Sequence, residues 1–374
     1  MKFSDSQKIL IGSISAYNIA SLSWWAQPEI VHTLIDKTGY SESTAGLIVS
    51  IELIAVALTA LVAAPWVARI PVKMACYIAG LIAITCHLIS AGTESIVLLG
   101  SARLIAGCAE GLALAIANAV LASTVNPGRS YAVLNLWNVF SGMLLLTIMT
   151  GLEHEFDQLA VFGLLAMASL LMWPLLRNIP VRLQVLAPAK ISGSRKASAA
   201  MILLSMLIWV TAASMVWAFY ITIGQQTSLE ATTVGLIVAL AAGGGLVGSG
   251  IAAFIGGKVG RYKPIFAGLL INVIVVMALT HVFNNWVFII TALAALGCVY
   301  YLLPLYLGMA AEYDPNGGLS AAVAGVFLLT GGTGPLLGGY LVEMGGVQTI
   351  GWAVLVGASF AAVSLLWLKK YAPV

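Results

Sequence analysis

Runs of apolar residues separated by short polar breaks fill almost the whole chain. They lie near residues 7–34, 42–68, 73–92, 95–124, 130–151, 158–176, 200–226, 230–256, 264–282, 286–311, 318–343 and 347–369. A helix needs about 20 apolar residues to cross the hydrocarbon of a bilayer. Twelve spans in 374 residues leave about 31 per helix and loop, so the connections are short and no soluble domain fits. The pattern predicts an all-α membrane protein with twelve transmembrane helices.

Composition agrees. The chain is 61% hydrophobic and 8% charged, against roughly 45–50% and about 25% in soluble domains. Lys2 and Lys8 precede a long apolar stretch that superficially resembles a signal peptide. That stretch runs to Leu34 without a small-residue cleavage site, so it reads as the first span. Cys76, Cys86, Cys108 and Cys298 lie in apolar runs with no CxxC or Cys/His spacing; they read as packing residues, and no metal or other cofactor is expected.

Charge gives the orientation. With the N-terminus inside, the inner loops hold Lys2, Lys8, Arg69, Lys73, Arg129, Arg177, Arg182, Lys190, Arg195, Lys196, Lys258, Arg261, Lys263, Lys369 and Lys370. The outer side holds Lys37, and Arg103 lies within a span. This is the positive-inside distribution, and it predicts that both termini are cytoplasmic in a multi-pass protein of the cell inner membrane. Asp36, Glu42, Glu94, Glu153, Glu155, Asp157 and Glu230 fall on the outer side. The net charge of +3 gives no reason to expect a nucleic-acid partner.

The chain also repeats itself. Val125-Asn126-Pro127-Gly128-Arg129 after the fourth span and Tyr313-Asp314-Pro315-Asn316-Gly317 after the tenth are offset by 188 residues, as are the basic breaks Arg69–Lys73 and Gly257–Arg261. That is half the chain plus one residue, the signature of an internal duplication. The prediction is a six-helix bundle over residues 1–177, a basic cytoplasmic linker over 178–199 and a second six-helix bundle over 200–374.

These features resemble the major facilitator superfamily (MFS). Arg103-Leu104-Ile105-Ala106-Gly107-Cys108-Ala109-Glu110-Gly111 matches the family's fourth-span motif, an arginine followed four residues later by glycine and then small residues. The loop Ala68-Arg69-Ile70-Pro71-Val72-Lys73 keeps the basic positions of the family's signature loop but not its acid. Its second-half counterpart, Gly256 to Pro264, also lacks the acid. The fifth span, with Asn135 to Gly142, has no glycine-proline signature of the kind found in the family's proton-driven exporters. The resemblance implies a secondary transporter and not an enzyme, with two bundles rocking about a midplane site.

An ionisable group at the bilayer centre costs about 2.5–3.5 kcal/mol on insertion scales, so each one is a functional candidate. Glu29, Glu52, Arg103 and Glu110 qualify, all in the first half. Glu52 lies about 10 residues deep, Arg103 about 8 and Glu110 about 15, at 1.5 Å per residue. Glu52 and Arg103 therefore share a depth, and a bidentate pair is expected between them. Glu110, nearest the midplane, is placed to load and unload a proton, with Glu52 second; the competing reading makes both of them structural. Glu29, beside Pro28, reads as interfacial, and His87 in the third span as structural.

Candidate substrate-binding residues are Arg103, Tyr17, Asn18, Trp25, Asn118, Asn138, Trp217, Tyr220 and Tyr301, polar or aromatic groups within the spans. Gly334 and Pro335 in the eleventh span form a gating candidate, because proline removes a helix donor and glycine weakens the helix. Gly244 and Gly248 have the GxxxG spacing of close helix packing. The expectation is a monomer performing proton-coupled symport of a small organic solute, an organic anion or aromatic compound. The alternatives are a proton-driven efflux antiporter for amphipathic compounds and a non-transporting membrane sensor or partner.

Overall fold

The computed structural model describes residues 5–124, 126–183, 196–255, 260, 262–314 and 318–371; for 153–159 and a few others it describes backbone only. Most of the linker, the basic loop holding Lys258 and Arg261, and Val125 and Pro315–Gly317 of the two proline turns lie outside these residues. Among the described residues all regular structure is helical.

The helices are α1 (Asp5–Trp25), α2 (Gln27–Asp36), α3 (Glu42–Ala63), α4 (Val72–Gly92), α5 (Ile96–Ala122), α6 (Pro127–Met172), α7 (Lys196–Ala218), α8 (Tyr220–Gly224), α9 (Ala231–Ile255), α10 (Tyr262–His281), α11 (Asn285–Tyr313), α12 (Gly318–Gly345) and α13 (Gln348–Tyr371), with short 3-10 turns at Val67–Arg69 and Trp173–Asn178. Among the described residues eleven stretches are long and apolar enough to cross a membrane, two of them, Arg129–Leu152 and Ala160–Asn178, starting in α6. Their positions follow the apolar runs closely. The first and seventh runs differ: each is two helices, broken at Ala26 and at Phe219. Pro28 has no amide hydrogen and its ring crowds the carbonyl of Trp24, so a straight helix cannot pass through it.

Helix starts follow local rules. The side chains of Ser95, Asn126 and Asn284 accept from backbone amides of the first turns of α5, α6 and α11, replacing the partner that a helix start lacks.

The trace divides into two units, Met1–Tyr40 with Ile48–Pro188, and Ser41–Leu47 with Ala189–Val374. In the first, α1 packs on α5 and α6, and α4 on α5 and α6. Its core is built largely from small residues such as Ala16, Ala79, Ala83, Ala113 and Ala117. Lipid gives no hydrophobic drive between helices, so close backbone approach takes over that role. In the second, α9 packs on α11, α7 on α12 and α13, and α10 on α11 and α13. Gly244 and Gly248 lie directly against the carbonyls of Leu293 and Gly297, which bears out the GxxxG reading. Phe254, Val97, Leu171 and Trp286 lie bare on the outside, where a soluble protein would place charge.

Candidate functional site

The fourth-span motif works by letting two helices touch. Gly107 and Gly111 of α5 sit against the carbonyls of Glu52 and Val56 of α3, with no room for a side chain. That contact sets the Glu52 carboxyl between Arg103 and Glu110, which flank Gly107 on α5. Helix α4 adds His87 and Ser90, one turn apart. Its Cys86 packs on Ala102 and Ala106, the small residues that bring α4 and α5 together.

Arg103 Nη1 donates to Glu52 Oε1 at 2.9 Å and contacts His87 Nδ1 at 3.1 Å, while its Nε donates to Ser90 Oγ at 3.0 Å. Its guanidinium carbon lies 4.8 Å from the centre of the Phe162 ring, a cation–π contact. Ser23 of α1 donates to Glu52 Oε1 at 2.9 Å. His87 Nε2 lies 3.2 Å from Glu110 Oε1, but the contact is oblique: neither atom has an aligned hydrogen-bond partner, nor has Glu110 Oε2. Glu52 is 1% exposed, and His87, Arg103 and Glu110 are 0% exposed. The Arg103–Glu52 pair is monodentate, not the expected bidentate fork: Nε donates to Ser90, and Nη2 has no hydrogen-bond partner among the described residues.

Two consequences follow from elementary chemistry. A guanidinium only donates, so His87 Nδ1 is an acceptor and the ring hydrogen is on Nε2, facing Glu110. The cluster also contains two carboxyls and one arginine. With both carboxyls ionised, a negative charge lies uncompensated in a dry interior, a costly state; one proton removes it. Donor atoms of Glu52, His87 and Glu110 all lie within 4.8 Å of one another, a spacing a metal ion can use. Here Arg103 already contacts two of the three, Glu52 and His87.

His87, read from sequence as structural, lies within the cluster, in contact with Arg103 and Glu110. As a neutral residue it gave no signal in the sequence until its neighbours were known. Ser23, Ser90 and Phe162 were missed for the same reason. Glu29, read as interfacial, is 1% exposed and accepts from Thr150 Oγ1 at 2.7 Å; it is buried against α6.

Asn18, Trp25 and Asn138 come together and satisfy one another. Trp25 Nε1 donates to Asn138 Oδ1 at 3.0 Å, Asn138 Nδ2 to Asn18 Oδ1 at 3.2 Å, and Ser141 Oγ to Asn18 Oδ1 at 2.6 Å. Tyr17 packs with Tyr131 around Ile14, Leu121 and Leu134. Asn118 donates to Leu114 O, and its own carbonyl accepts from Tyr131.

In the second unit Trp217 and Tyr220 meet edge to face at 5.5 Å, and Tyr220 donates to the Ala292 carbonyl. Both line a cavity of about 10 Å³ with Asn272, room for one water. Tyr301 is apart from that cavity, half-buried, and donates to Pro264 O. Gly334 packs on Ser214, the carbonyl of Pro335 lies against Gly46, and helix α12 runs through Pro335.

The chain was compared with known proteins. A model described as Major Facilitator Superfamily matches residues 13–200, just over half of the chain. The chain belongs to the Major Facilitator Superfamily. The matched stretch includes the whole Glu52–His87–Arg103–Glu110 cluster, so the cluster is a feature built on the MFS fold. Crystal structures of the nucleoside transporter NupG (TM-score 0.72, 14% identity, 99% of this chain and 100% of that one) and of the peptide transporter POT in complex with sulfate (TM-score 0.74, 14% identity, 97% and 94%) are similar in fold. No curated protein matches in sequence. The fold is that of a multi-pass MFS transporter.

Proposed function

We propose that this chain is a proton-coupled symporter for a small organic solute, with twelve spans in two six-helix bundles joined by the 178–199 linker. In this reading α1 and α2 together are the twelfth span, both termini are cytoplasmic, and the protein works as a monomer in the inner membrane. The observation that carries the proton step is the buried set of two carboxyls and one arginine. Arg103 and Ser23 hold Glu52 in its ionised form, so the exchangeable proton resides on Glu110, whose oxygens have no aligned donor. Loading that proton makes the cluster neutral; releasing it leaves a charge that favours a different arrangement of α3, α4 and α5.

Arg103 is a poor choice for an anion site, because three of its contacts are internal and it is fully buried. The substrate side of the reading rests on the aromatic and amide groups. Trp25 is buried and tied to Asn138, and its bonds fix the half-buried Trp24, which edges onto it at 4.8 Å and is the ring of the pair placed to meet a flat solute. The nucleoside and peptide transporters that share the fold are compatible with this class. Gly334 and Pro335 serve as the gate, Pro335 because its neighbour Gly46 allows the two backbones to slide.

The test uses proteoliposomes with an imposed pH gradient and labelled uridine, dialanine and benzoate as probes. One of these should accumulate. Glu110→Gln should abolish gradient-driven accumulation while sparing exchange. Full accumulation by Glu110→Gln overturns the assignment. An efflux antiporter is the second reading, favoured by the bare aromatic pair Trp137 and Phe140, 5.7 Å apart on α6. It predicts exclusion of the probe in the same experiment.

A further inference from the structure

We propose that His87 is a positioning residue: a neutral, non-titrating link that transmits the charge state of Glu110 to Arg103. This rests on the proton-coupled reading above and assigns a new role within it. The imidazole contacts both Arg103 and Glu110, at 3.1 Å through Nδ1 and 3.2 Å through Nε2, and Glu52 also stands beside both. The ring is fully buried, so no water competes for either nitrogen.

A histidine between a carboxyl and an arginine invites the reading that the ring itself carries the proton, since histidine is the usual switch near neutral pH. The geometry opposes it. To accept a proton the ring must use Nδ1, which requires Arg103 to withdraw its hydrogen bond and leaves two cations side by side. The titratable and charged groups around the ring are Glu52 from α3 and Arg103 and Glu110 from α5, and on its own helix the neighbouring Cys86 stands among the same three charges. An incoming proton therefore goes to a carboxyl, and the ring keeps one tautomer throughout.

The fixed tautomer supplies the coupling. While Glu110 is a carboxylate, its charge 3.2 Å from Nε2 polarises the ring through this oblique contact, without an aligned hydrogen bond, and so enriches Nδ1 as an acceptor for Arg103. When Glu110 is protonated that pull ends, and Arg103 is left to Glu52 alone. Because His87 and Ser90 both stand on α4, a change at Glu110 of α5 is felt by α4 without any proton crossing the ring.

Glutamine provides the test, for its amide oxygen accepts and its amide nitrogen donates, but it does not titrate. The purified full chain in lipid is followed by infrared difference spectroscopy of the protonated carboxyl band as a function of pH, with no solute present. Wild type should show a band that Glu110→Gln removes. His87→Gln should leave its midpoint within about 0.3 pH unit, whereas His87→Leu, lacking donor and acceptor, should move it by about one unit or more. Nitrogen NMR of the ring should report one neutral tautomer on both sides of the midpoint. If His87→Gln and His87→Leu shift the midpoint equally, or the ring protonates, the positioning role is overturned. If neither variant shifts it, His87 is packing only. A band unchanged by Glu110→Gln instead overturns the proton reading beneath, a separate failure.

Discussion

Arg103 is the residue on which the cluster depends. A guanidinium cannot relieve burial by losing its proton, and removing it leaves Glu52 with only the Ser23 hydroxyl. Breaking a buried pair from one side costs about 3–5 kcal/mol. Arg103→Met should therefore sharply lower the thermal unfolding temperature in detergent, and Glu52→Gln in the same chain should restore much of it. If Arg103→Met melts like wild type, the pair does not hold α3 to α5. The three charged members were legible in the sequence because a charge in an apolar run has few bland explanations. The histidine and the serines were not. A serine within a membrane helix can satisfy itself on its own backbone, as Ser90 also does on the Cys86 carbonyl at 2.8 Å. Nothing in a single sequence says which serine reaches across to a neighbour.

At the scale of the helices, small residues decide what can cross what. Gly248 touches the carbonyl of Gly297, whereas Gly250, two residues on in the same α9, has nothing within 4 Å. Gly248→Ala should cost about 1–3 kcal/mol through overpacking of α9 on α11, read as a lower unfolding temperature, while Gly250→Ala, where the added methyl meets nothing, should leave it unchanged or raise it, since alanine favours the helix. Equal effects would mean that propensity rather than contact matters. Helix positions were legible from the apolar runs to within a few residues, because hydrocarbon thickness fixes their length. The break at Ala26 was not read, although Pro28 stood in the sequence, because the apolar run continues across it. The edge between Phe219 and Tyr220 has no proline, and its signal is absent from the sequence.

At the scale of the whole molecule, membrane helices were legible from the apolar runs, and an offset and a charge distribution in one sequence led to the expectation of two related halves. What the halves hold is unequal. The buried charges of the spans belong to the first unit, and the second offers aromatic and glycine surfaces. The seven residues Ser41–Leu47 at the start of α3 group with the second unit while the rest of the helix groups with the first.

The polar face of α1 and α2 also bears on how the chain is made. Asn18, Ser23, Gln27, Glu29 and His32 are all buried; Asn138, Glu52 and Thr150, which bond Asn18, Ser23 and Glu29, are translated later, whereas His32 pairs with Asp36 of its own helix. An apolar helix can leave the insertion machinery for lipid unaided, but this one exposes a carboxylate and several amides that hydrocarbon does not satisfy. It must wait in a wet or protein-lined space until about residue 150 has emerged. A chain halted after residue 40 should therefore remain extractable by alkaline carbonate, and one halted after Asn178 should resist it. If the short chain already resists, the first helix enters lipid without help from those that follow.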